Sequence, residues 1–207
     1  MKRLFVAAIV IAIVGASFVW NLYNNNNSEP TSSTPCPVNR PDIELRGDTA
    51  SGSAVKIGAV APDILICNKE GNVMRLSDFR GRYVFLNLWA SWCPPCREEM
   101  PSMEKISQKY RDSISMLAVA VLDNEQDSRN FFEVEYAFSY SYFFDKYEDA
   151  VNVYGIASVP QTFLIASDGT ISAIILGARL WTTPGCVDLL DAFASGQEVT
   201  RMLIRGC

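Results

Sequence analysis

Apolar and polar positions alternate along residues 64–110 in a pattern that predicts strands first and then a helix. Two short apolar runs, residues 64–67 and 73–76, flank a polar stretch with a glycine and predict a β-hairpin. The nearly continuous apolar run at residues 83–90 is typical of a central strand covered on both faces. Residues 97–110 then carry apolar side chains at helical spacing, so a helix is expected directly after that strand.

Beyond this helix the alternation of strands and helices continues to residue 194. The predicted elements are a strand at residues 115–121, a helix at 125–138, a short extended segment at 142–144 and a second helix at 147–153. Two strands joined by a turn follow at 155–165 and 171–176, and a last helix at 184–194. Asp168 and Gly169 supply the turn between the last two strands. Strands that alternate with helices and end in a hairpin predict an α/β fold with a mixed sheet.

The amino terminus is predicted to enter a membrane. Lys2 and Arg3 precede the uncharged residues 4–20, which are just long enough for a helix that crosses roughly 30 Å of hydrocarbon. Two interpretations are open: an uncleaved anchor, favoured by Trp20 at an interfacial position, or a cleaved signal peptide with residues 4–14 as its apolar core. Both export the rest of the chain, because the two basic residues hold the terminus in the cytoplasm.

These patterns divide the chain into four parts. Residues 1–20 are the anchor or signal peptide, and residues 21–55, rich in Asn, Ser, Thr and Pro, are expected to form a flexible tether. Residues 56–195 hold the predicted domain, and residues 196–207 form a carboxyl-terminal extension. The domain is expected to face the periplasm or another extracytoplasmic space, anchored to the inner membrane or, after signal cleavage, as a soluble protein.

The composition limits the possible chemistry. The 207 residues include 18 basic and 23 acidic side chains, and the net charge of −5 argues against a nucleic-acid partner. The absence of histidine excludes Ser-His and Cys-His dyads, imidazole metal ligands and haem attachment through Cys-x-x-Cys-His. The six cysteines suit an oxidising compartment, and only Cys93 and Cys96 are closely spaced, which disfavours a four-cysteine zinc site. No metal or cofactor is therefore predicted.

The closely spaced cysteines form the sequence Cys93-Pro94-Pro95-Cys96 at the junction between the predicted central strand and its helix. A thiolate at a helix amino terminus is stabilised by free backbone N–H groups and by the positive end of the helix dipole, which lower its pKa. Cys93 is thus the predicted nucleophile, and Cys96 resolves the mixed disulfide that Cys93 forms with a partner. The two prolines restrict the backbone at the bend, where a missing N–H costs little.

Four motifs in order along the chain make it similar to a known family. They are Ala-Pro-Asp, Leu-Ser-Asp-Phe-Arg-Gly, the stretch from Asn to the second redox cysteine, and Val-Pro-Gln-Thr-Phe-Leu-Ile, at residues 61–63, 76–81, 87–96 and 159–165. Over about residues 58–194 the chain resembles the thioredoxin superfamily, and within it the membrane-tethered TlpA/ResA/CcmG group of thiol-disulfide oxidoreductases. The resemblance implies a thioredoxin-like fold, a central mixed sheet flanked by helices, with an amino-terminal β-hairpin and a strand-helix insertion within residues 123–152.

The same resemblance implies which residues meet the substrate. Pro160 is expected to follow a cis peptide bond beside the redox pair and, with Val159, to offer a backbone edge to a strand of the partner protein. Trp92 is expected to flank the exposed sulfur and to shape the surface that binds the partner, together with Pro94 and Pro95 between the two cysteines.

The resemblance also implies a carboxylate beneath the thiols. Where thioredoxins carry a buried Asp, this chain has Asn87, which exchanges no proton. The TlpA/ResA group instead places a Glu three residues after the second cysteine, here Glu99. Glu99 is therefore expected to accept the proton of Cys96 as that thiol attacks. The alternative is an ordinary glutamate that the helix dipole favours in the first turns.

The remaining cysteines, Cys36, Cys67, Cys186 and Cys207, allow three disulfide connectivities, and the sequence does not choose among them. Cys67 lies in a predicted strand and is equally compatible with a buried, inert thiol. A disulfide between Cys186 and Cys207 is one hypothesis, since it would pin the carboxyl-terminal extension.

The favoured function is reduction of disulfides in partner proteins outside the cytoplasm through Cys93 and Cys96. The resemblance implies a membrane thiol-electron donor of the DsbD or CcdA kind, and cytochrome c maturation as a common setting for such proteins. Three alternatives stay open: a disulfide oxidase or isomerase, a binding or assembly module whose cysteine pair remains oxidised, and metal delivery through the two thiolates.

Overall fold

The computed structural model describes residues 35–45, 55–199 and 201–207. The predicted anchor or signal peptide, residues 1–20, lies outside this part of the chain, and the division of the chain into four parts stays a prediction. Within the described residues, no helix combines the length and the apolar character that crossing a bilayer requires.

One mixed sheet organises the described residues. Its strands are β1 (Leu65–Asn68), β2 (Val73–Arg75), β3 (Tyr83–Trp89), β4 (Ile114–Ala120), β5 (Ser141–Phe144), β6 (Gln161–Ile165) and β7 (Ile171–Leu176). They lie in the order β2-β1-β5-β4-β3-β6-β7. The central strands β3, β4 and β5 run parallel, and the hairpins β1–β2 and β6–β7 flank them in antiparallel pairing. The predicted mixed α/β sheet is thus confirmed.

Helices cover this sheet. The α-helices in the described residues are α1 (Pro94–Tyr110), α2 (Glu125–Arg129), α3 (Asp149–Tyr154), α4 (Pro184–Ala194) and α5 (Arg201–Gly206). Helix α1 begins at Pro94, three residues earlier than predicted, with Cys93 as its N-cap. Proline is suited to the first helical position, because its fixed φ matches the helix and its missing N–H has no partner there in any case.

Two helices differ from their predicted extents. Helix α2 is followed by a π-helix, Asn130–Glu135, where a single longer α-helix was expected. The wider turn of a π-helix allows the consecutive Phe131 and Phe132 both to face the core, where both are buried. Helix α3 begins at Asp149, two residues later than predicted, because Glu148 adopts a left-handed backbone conformation with a φ of 55°.

Side chains that alternate along β3 divide the hydrophobic core between the two faces of the sheet. Phe85 and Trp89 pack on the face that α1 and α4 cover, whereas Leu86 and Leu88 pack on the opposite face with α3. Because successive residues of a strand point to opposite faces, the polar Asn87 of β3 lies on the same face as Phe85 and Trp89. This alternation directs the Asn87 amide toward α1, the helix that carries the redox pair.

Residues 35–45, which belong to the predicted tether, lie against the domain. Cys36 forms a disulfide with Cys67 of β1, and both cysteines are buried. Arg40 forms an ion pair with Asp149 at the start of α3. The interpretation of Cys67 as a free, inert thiol is therefore wrong, since its partner lies in a segment whose position the sequence does not predict.

A further disulfide, between Cys186 and Cys207, joins the first turn of α4 to the residue that follows α5. The two helices approach closely here, and a side chain at Gly185 would clash with the carbonyl oxygen of Gly206. The carboxyl-terminal segment is therefore packed on the domain, as the hypothesis of a pinned extension required.

Removing this disulfide in a Cys186→Ala, Cys207→Ser protein is expected to lower the free energy of unfolding by about 3 kcal/mol. The bond joins residues 21 apart, and breaking it restores conformational entropy to the unfolded chain. Urea unfolding without reductant measures the change. Met202→Ser in α5, where the side chain is 81% exposed, is the control and should shift stability by less than about 0.5 kcal/mol. Equal stability of the double variant and the parent protein would contradict this expectation.

Candidate active site

The redox pair lies where β3 passes into α1. The sulfur of Cys93, the N-cap of α1, accepts a hydrogen bond from the backbone N–H of Cys96 at 3.3 Å. The two cysteines form a disulfide in which Cys93 is 3% exposed and Cys96 is fully buried. Pro94 and Pro95 are exposed beside them. A thiolate at Cys93 would thus be stabilised by the helix terminus, and Cys96 lies behind it, without solvent exposure.

The loop before β6 lies against this pair. The peptide bond between Val159 and Pro160 is cis, and the carbonyl oxygen of Val159 lies 3.6 Å from the sulfur of Cys93. The carbonyl oxygen of Pro160 accepts a hydrogen bond from the N–H of Gly177 at 2.9 Å, which ties the loop to the end of β7. The structure therefore places Val159 and Pro160 beside Cys93, and their contact with a partner strand stays a prediction.

Trp92 and the residue before it are held by the loop that follows β4. The Trp92 indole, 59% exposed, donates to the carbonyl oxygen of Leu122 at 2.9 Å, and Leu122 has a left-handed backbone with a φ of 53°. The Asp123 carboxylate accepts the backbone N–H and the hydroxyl of Ser91, at 2.5 and 2.9 Å, and the hydroxyl of Ser128 at 2.6 Å. Asp123 therefore positions the backbone that leads into the redox pair.

Arg97, directly after the redox pair, connects α1 to the π-helix. Its guanidinium lies 4.4 Å from the centre of the Phe131 ring and pairs with Glu135 at 2.7 Å. The sequence patterns predicted neither Arg97 nor Asp123 as a site residue. Asp123 could have been predicted from its position just beyond the buried strand β4. The carboxyl ends of neighbouring parallel strands meet at one edge of a sheet, so a residue after β4 lies near the residues that follow β3.

Glu99 is buried beneath the redox pair on α1. It is 2% exposed and lies three residues after Cys96, so both side chains occupy one face of the helix. Its Oε1 accepts a hydrogen bond from the Asn87 amide at 2.9 Å. Its Oε2 accepts from the backbone N–H of Arg179 at 3.0 Å and from the indole N–H of Trp181 at 3.2 Å. The sequence patterns did not predict Arg179 or Trp181, which are distant from Glu99 along the chain.

Burial raises the pKa of Glu99 from its ordinary value of 4.5 to about 7. The hydrogen bonds from Arg179, Asn87 and Trp181 favour the charged form and oppose this rise, as does the positive charge of Arg179. A carboxyl with a pKa near 7 is present in both protonation states at neutral pH, so it can accept a proton and release it again. The alternative, an ordinary glutamate that the helix dipole favours, does not by itself account for the burial of Glu99 and its three donors.

Comparison with known proteins relates this site to an established family. A model of the AhpC/TSA family matches residues 57–174, which is more than half of the chain. The thiol-disulfide oxidoreductase ResA of Geobacillus thermodenitrificans is 30% identical over 177 residues, which cover 85% of this chain and 88% of that relative.

Solved structures extend this likeness to the fold. A protein of Chlorobium tepidum assigned as thiol:disulfide interchange protein DsbE has a TM-score of 0.60 and 29% identity, and the match covers 69% of this chain and 98% of that chain. The thioredoxin domain of a thiol-disulfide oxidoreductase from Bacteroides vulgatus has a TM-score of 0.59 and 25% identity, covering 68% and 99%. The fold is thus thioredoxin-like. The chain therefore belongs to the AhpC/TSA family and is a thiol-disulfide oxidoreductase of the ResA and DsbE type.

Proposed function

We propose that this protein reduces disulfides of partner proteins outside the cytoplasm. One observation carries the proposal: the redox pair lies at the amino terminus of α1, and a buried carboxyl of near-neutral pKa, Glu99, follows it on the same helix. The helix terminus supports a thiolate at Cys93. The chain contains no histidine, so the Glu99 carboxyl supplies the proton acceptor.

In the first step, the Cys93 thiolate attacks one sulfur of the partner disulfide. A bond forms between Cys93 and that sulfur, the bond between the two partner sulfurs breaks, and the released partner thiolate takes a proton from water. Trp92, Pro94 and Pro95 are exposed around Cys93 and Val159 lies beside it. These side chains and the Val159 backbone are the proposed contacts with the partner.

In the second step, Cys96 gives its proton to Glu99 and attacks the sulfur of Cys93. The bond between Cys93 and Cys96 forms as the bond between Cys93 and the partner breaks. The partner's second thiolate leaves and takes up the proton that Glu99 holds, which returns Glu99 to its carboxylate form. The partner has then gained two electrons, and the redox pair has lost two and holds the disulfide that the structure contains.

A further turnover needs two electrons from another protein. We propose a membrane dithiol transporter of the DsbD or CcdA kind as the donor, with residues 1–20 as the inner-membrane anchor that keeps the domain beside it, facing the periplasm. Support comes from the uncharged residues 4–20 behind Lys2 and Arg3 and from the resemblance to membrane-tethered oxidoreductases. Cytochrome c maturation is the proposed setting, on that resemblance.

The direction of electron flow and the location are tested together. A membrane-impermeant maleimide applied to intact cells that produce the full chain should label Cys93 from outside, and labelling should be lost when the transporter is deleted. The purified pair should have a reduction potential below about −250 mV, in the range of reductases. A potential near −120 mV would instead indicate an oxidase, and a pair that stays unlabelled in every strain would indicate a module whose cysteines remain oxidised.

A further inference from the structure

Two of the three hydrogen bonds to the Glu99 carboxylate come from the loop between β7 and α4. The backbone N–H of Arg179 and the indole N–H of Trp181 both reach the same oxygen, Oε2, at 3.0 and 3.2 Å. The third donor, the Asn87 amide on β3, reaches Oε1 at 2.9 Å. Both hydrogen bonds to Oε2 therefore come from a loop that lies outside the segment bearing the redox pair.

The loop residue Trp181 is itself fixed in place. It is fully buried, and its ring packs edge-on against Phe85 of β3 with 4.7 Å between ring centres. Its backbone N–H donates to the hydroxyl of Ser102 at 3.0 Å, and that hydroxyl donates to the carbonyl oxygen of Glu99 at 2.7 Å. The backbone of Trp181 is thus tied to the same turn of α1 that carries Glu99, and its buried ring packs against Phe85 with the indole N–H directed at the carboxylate.

We propose that Trp181, assisted by the backbone N–H of Arg179, is a positioning residue that holds the Glu99 carboxylate where it takes the proton of Cys96. The proposal rests on the proton-accepting role of Glu99 in the proposed function. In this proposal, the loop after β7 controls the pH at which Cys96 resolves the mixed disulfide. Trp181 acts through Glu99 in this role.

The charges and titratable groups that face Glu99 lie on residues other than Trp181, which separates the role of Trp181 from a general electrostatic effect. The guanidinium of Arg179 contributes a positive charge from the same loop. Tyr140 faces Glu99 from the segment before β5, and burial raises the pKa of Tyr140 well above its usual range, so it stays neutral. The sulfurs of Cys93 and Cys96 lie on α1 itself. Trp181 is uncharged, so its replacement removes a hydrogen bond and leaves every charge around Glu99 in place.

The test measures how fast Cys96 resolves a mixed disulfide as a function of pH. Reduced protein is mixed with 5,5′-dithiobis(2-nitrobenzoate), which leaves a thionitrobenzoate group on Cys93, and stopped-flow absorbance follows its expulsion. In the parent protein the rate should rise through the pKa of Glu99. In Trp181→Phe the midpoint should move up by about one pH unit, because the charged carboxylate has lost a donor. An unshifted midpoint in this variant would overturn the proposal.

Two variants make the result specific. Trp89→Phe is the matched control: this buried indole N–H has no hydrogen-bond partner among the described residues, so the same replacement should leave the midpoint unshifted. Glu99→Gln should remove the rise near pH 7, with or without Trp181→Phe. If Glu99→Gln leaves the rise intact, the proton-accepting role itself fails. If Glu99→Gln removes the rise and Trp181→Phe leaves the midpoint unshifted, only the role of Trp181 fails.

A spectroscopic measurement keeps the proposal testable if Trp181→Phe does not fold. In the oxidised parent protein, the indole N–H resonance of Trp181 should shift with pH at the same midpoint as Glu99, because the acceptor of its hydrogen bond loses its charge. The shift should disappear in Glu99→Gln. A Trp181 resonance that does not respond to pH in the parent protein would overturn the proposal.

Discussion

Replacing Cys93 by serine is expected to lower the rate of disulfide reduction by a factor on the order of 10³ or more, as loss of a nucleophile does in other covalent catalysts. Cys93 is the slightly more accessible cysteine of the pair, with exposed prolines beside it, at the N-cap of α1 and 3.6 Å from the Val159 carbonyl oxygen. Cys96→Ser should give a different result. Its Cys93 thiolate still attacks the partner, but no second thiol expels the product, so a covalent complex accumulates.

Insulin reduction by dithiothreitol measures the first effect, and non-reducing electrophoresis with mass spectrometry detects the complex. A Cys36→Ser, Cys67→Ser protein is the control, because it loses a buried disulfide outside the redox pair and should retain its catalytic rate. A covalent complex that forms equally well when Cys93 is replaced would show that another cysteine is the nucleophile. Absence of any complex with Cys96→Ser would favour a module whose pair stays oxidised.

The oxidised parent protein is expected to become less stable to unfolding as the pH rises from about 4.5 to 7. In Glu99→Gln the part of this decrease in stability that comes from Glu99 should be absent. The pKa of Glu99 is raised by burial to about 7, so in this interval the folded protein keeps a proton that the unfolded chain has released. Stability therefore decreases as the pH rises and becomes constant above pH 7. The rise in pKa corresponds to a decrease of about 3 kcal/mol in the free energy of unfolding.

Urea unfolding of the oxidised proteins at pH 5 and at pH 8 measures this decrease. Glu98→Gln, one residue away at an exposed position, is the control and should retain the decrease of the parent protein. Asp145, whose pKa burial raises to about 6, adds a decrease of the same sign in all three proteins, so the difference between variants reports Glu99. A Glu99→Gln protein with the pH dependence of the parent would show that Glu99 does not titrate near neutrality.

Local sequence patterns predicted much of the fold. The apolar run of β3, the helix behind the redox pair and the two hairpins all form. The predictions were less accurate where contacts distant along the chain decide the backbone. The π-helix after α2 depends on burying Phe131 and Phe132 together, and the start of α3 depends on the left-handed Glu148. Neither condition produces a periodic pattern that distinguishes it from an ordinary helix.

The sequence by itself determined the chemistry of the redox pair, because its controlling features are local. Two cysteines separated by two prolines, after a buried strand and before a helix, place Cys93 at a helix terminus wherever the rest of the chain lies. The pairing of Cys36 with Cys67 was different. It spans 31 residues and includes a segment that the sequence predicts to be a flexible tether, so no local pattern distinguishes this pairing from the other connectivities.

Only the tertiary structure decided the proton chemistry of Glu99. The resemblance marked this residue, but its pKa follows from burial beneath the sheet and from donors on β3 and on the loop after β7, about 80 residues further along the chain. Desolvation and hydrogen bonding act over a few ångströms in space and have no fixed relation to distance along the sequence. The proposed nucleophile is therefore a property of one short segment, whereas the proposed proton acceptor is a property of the assembled core.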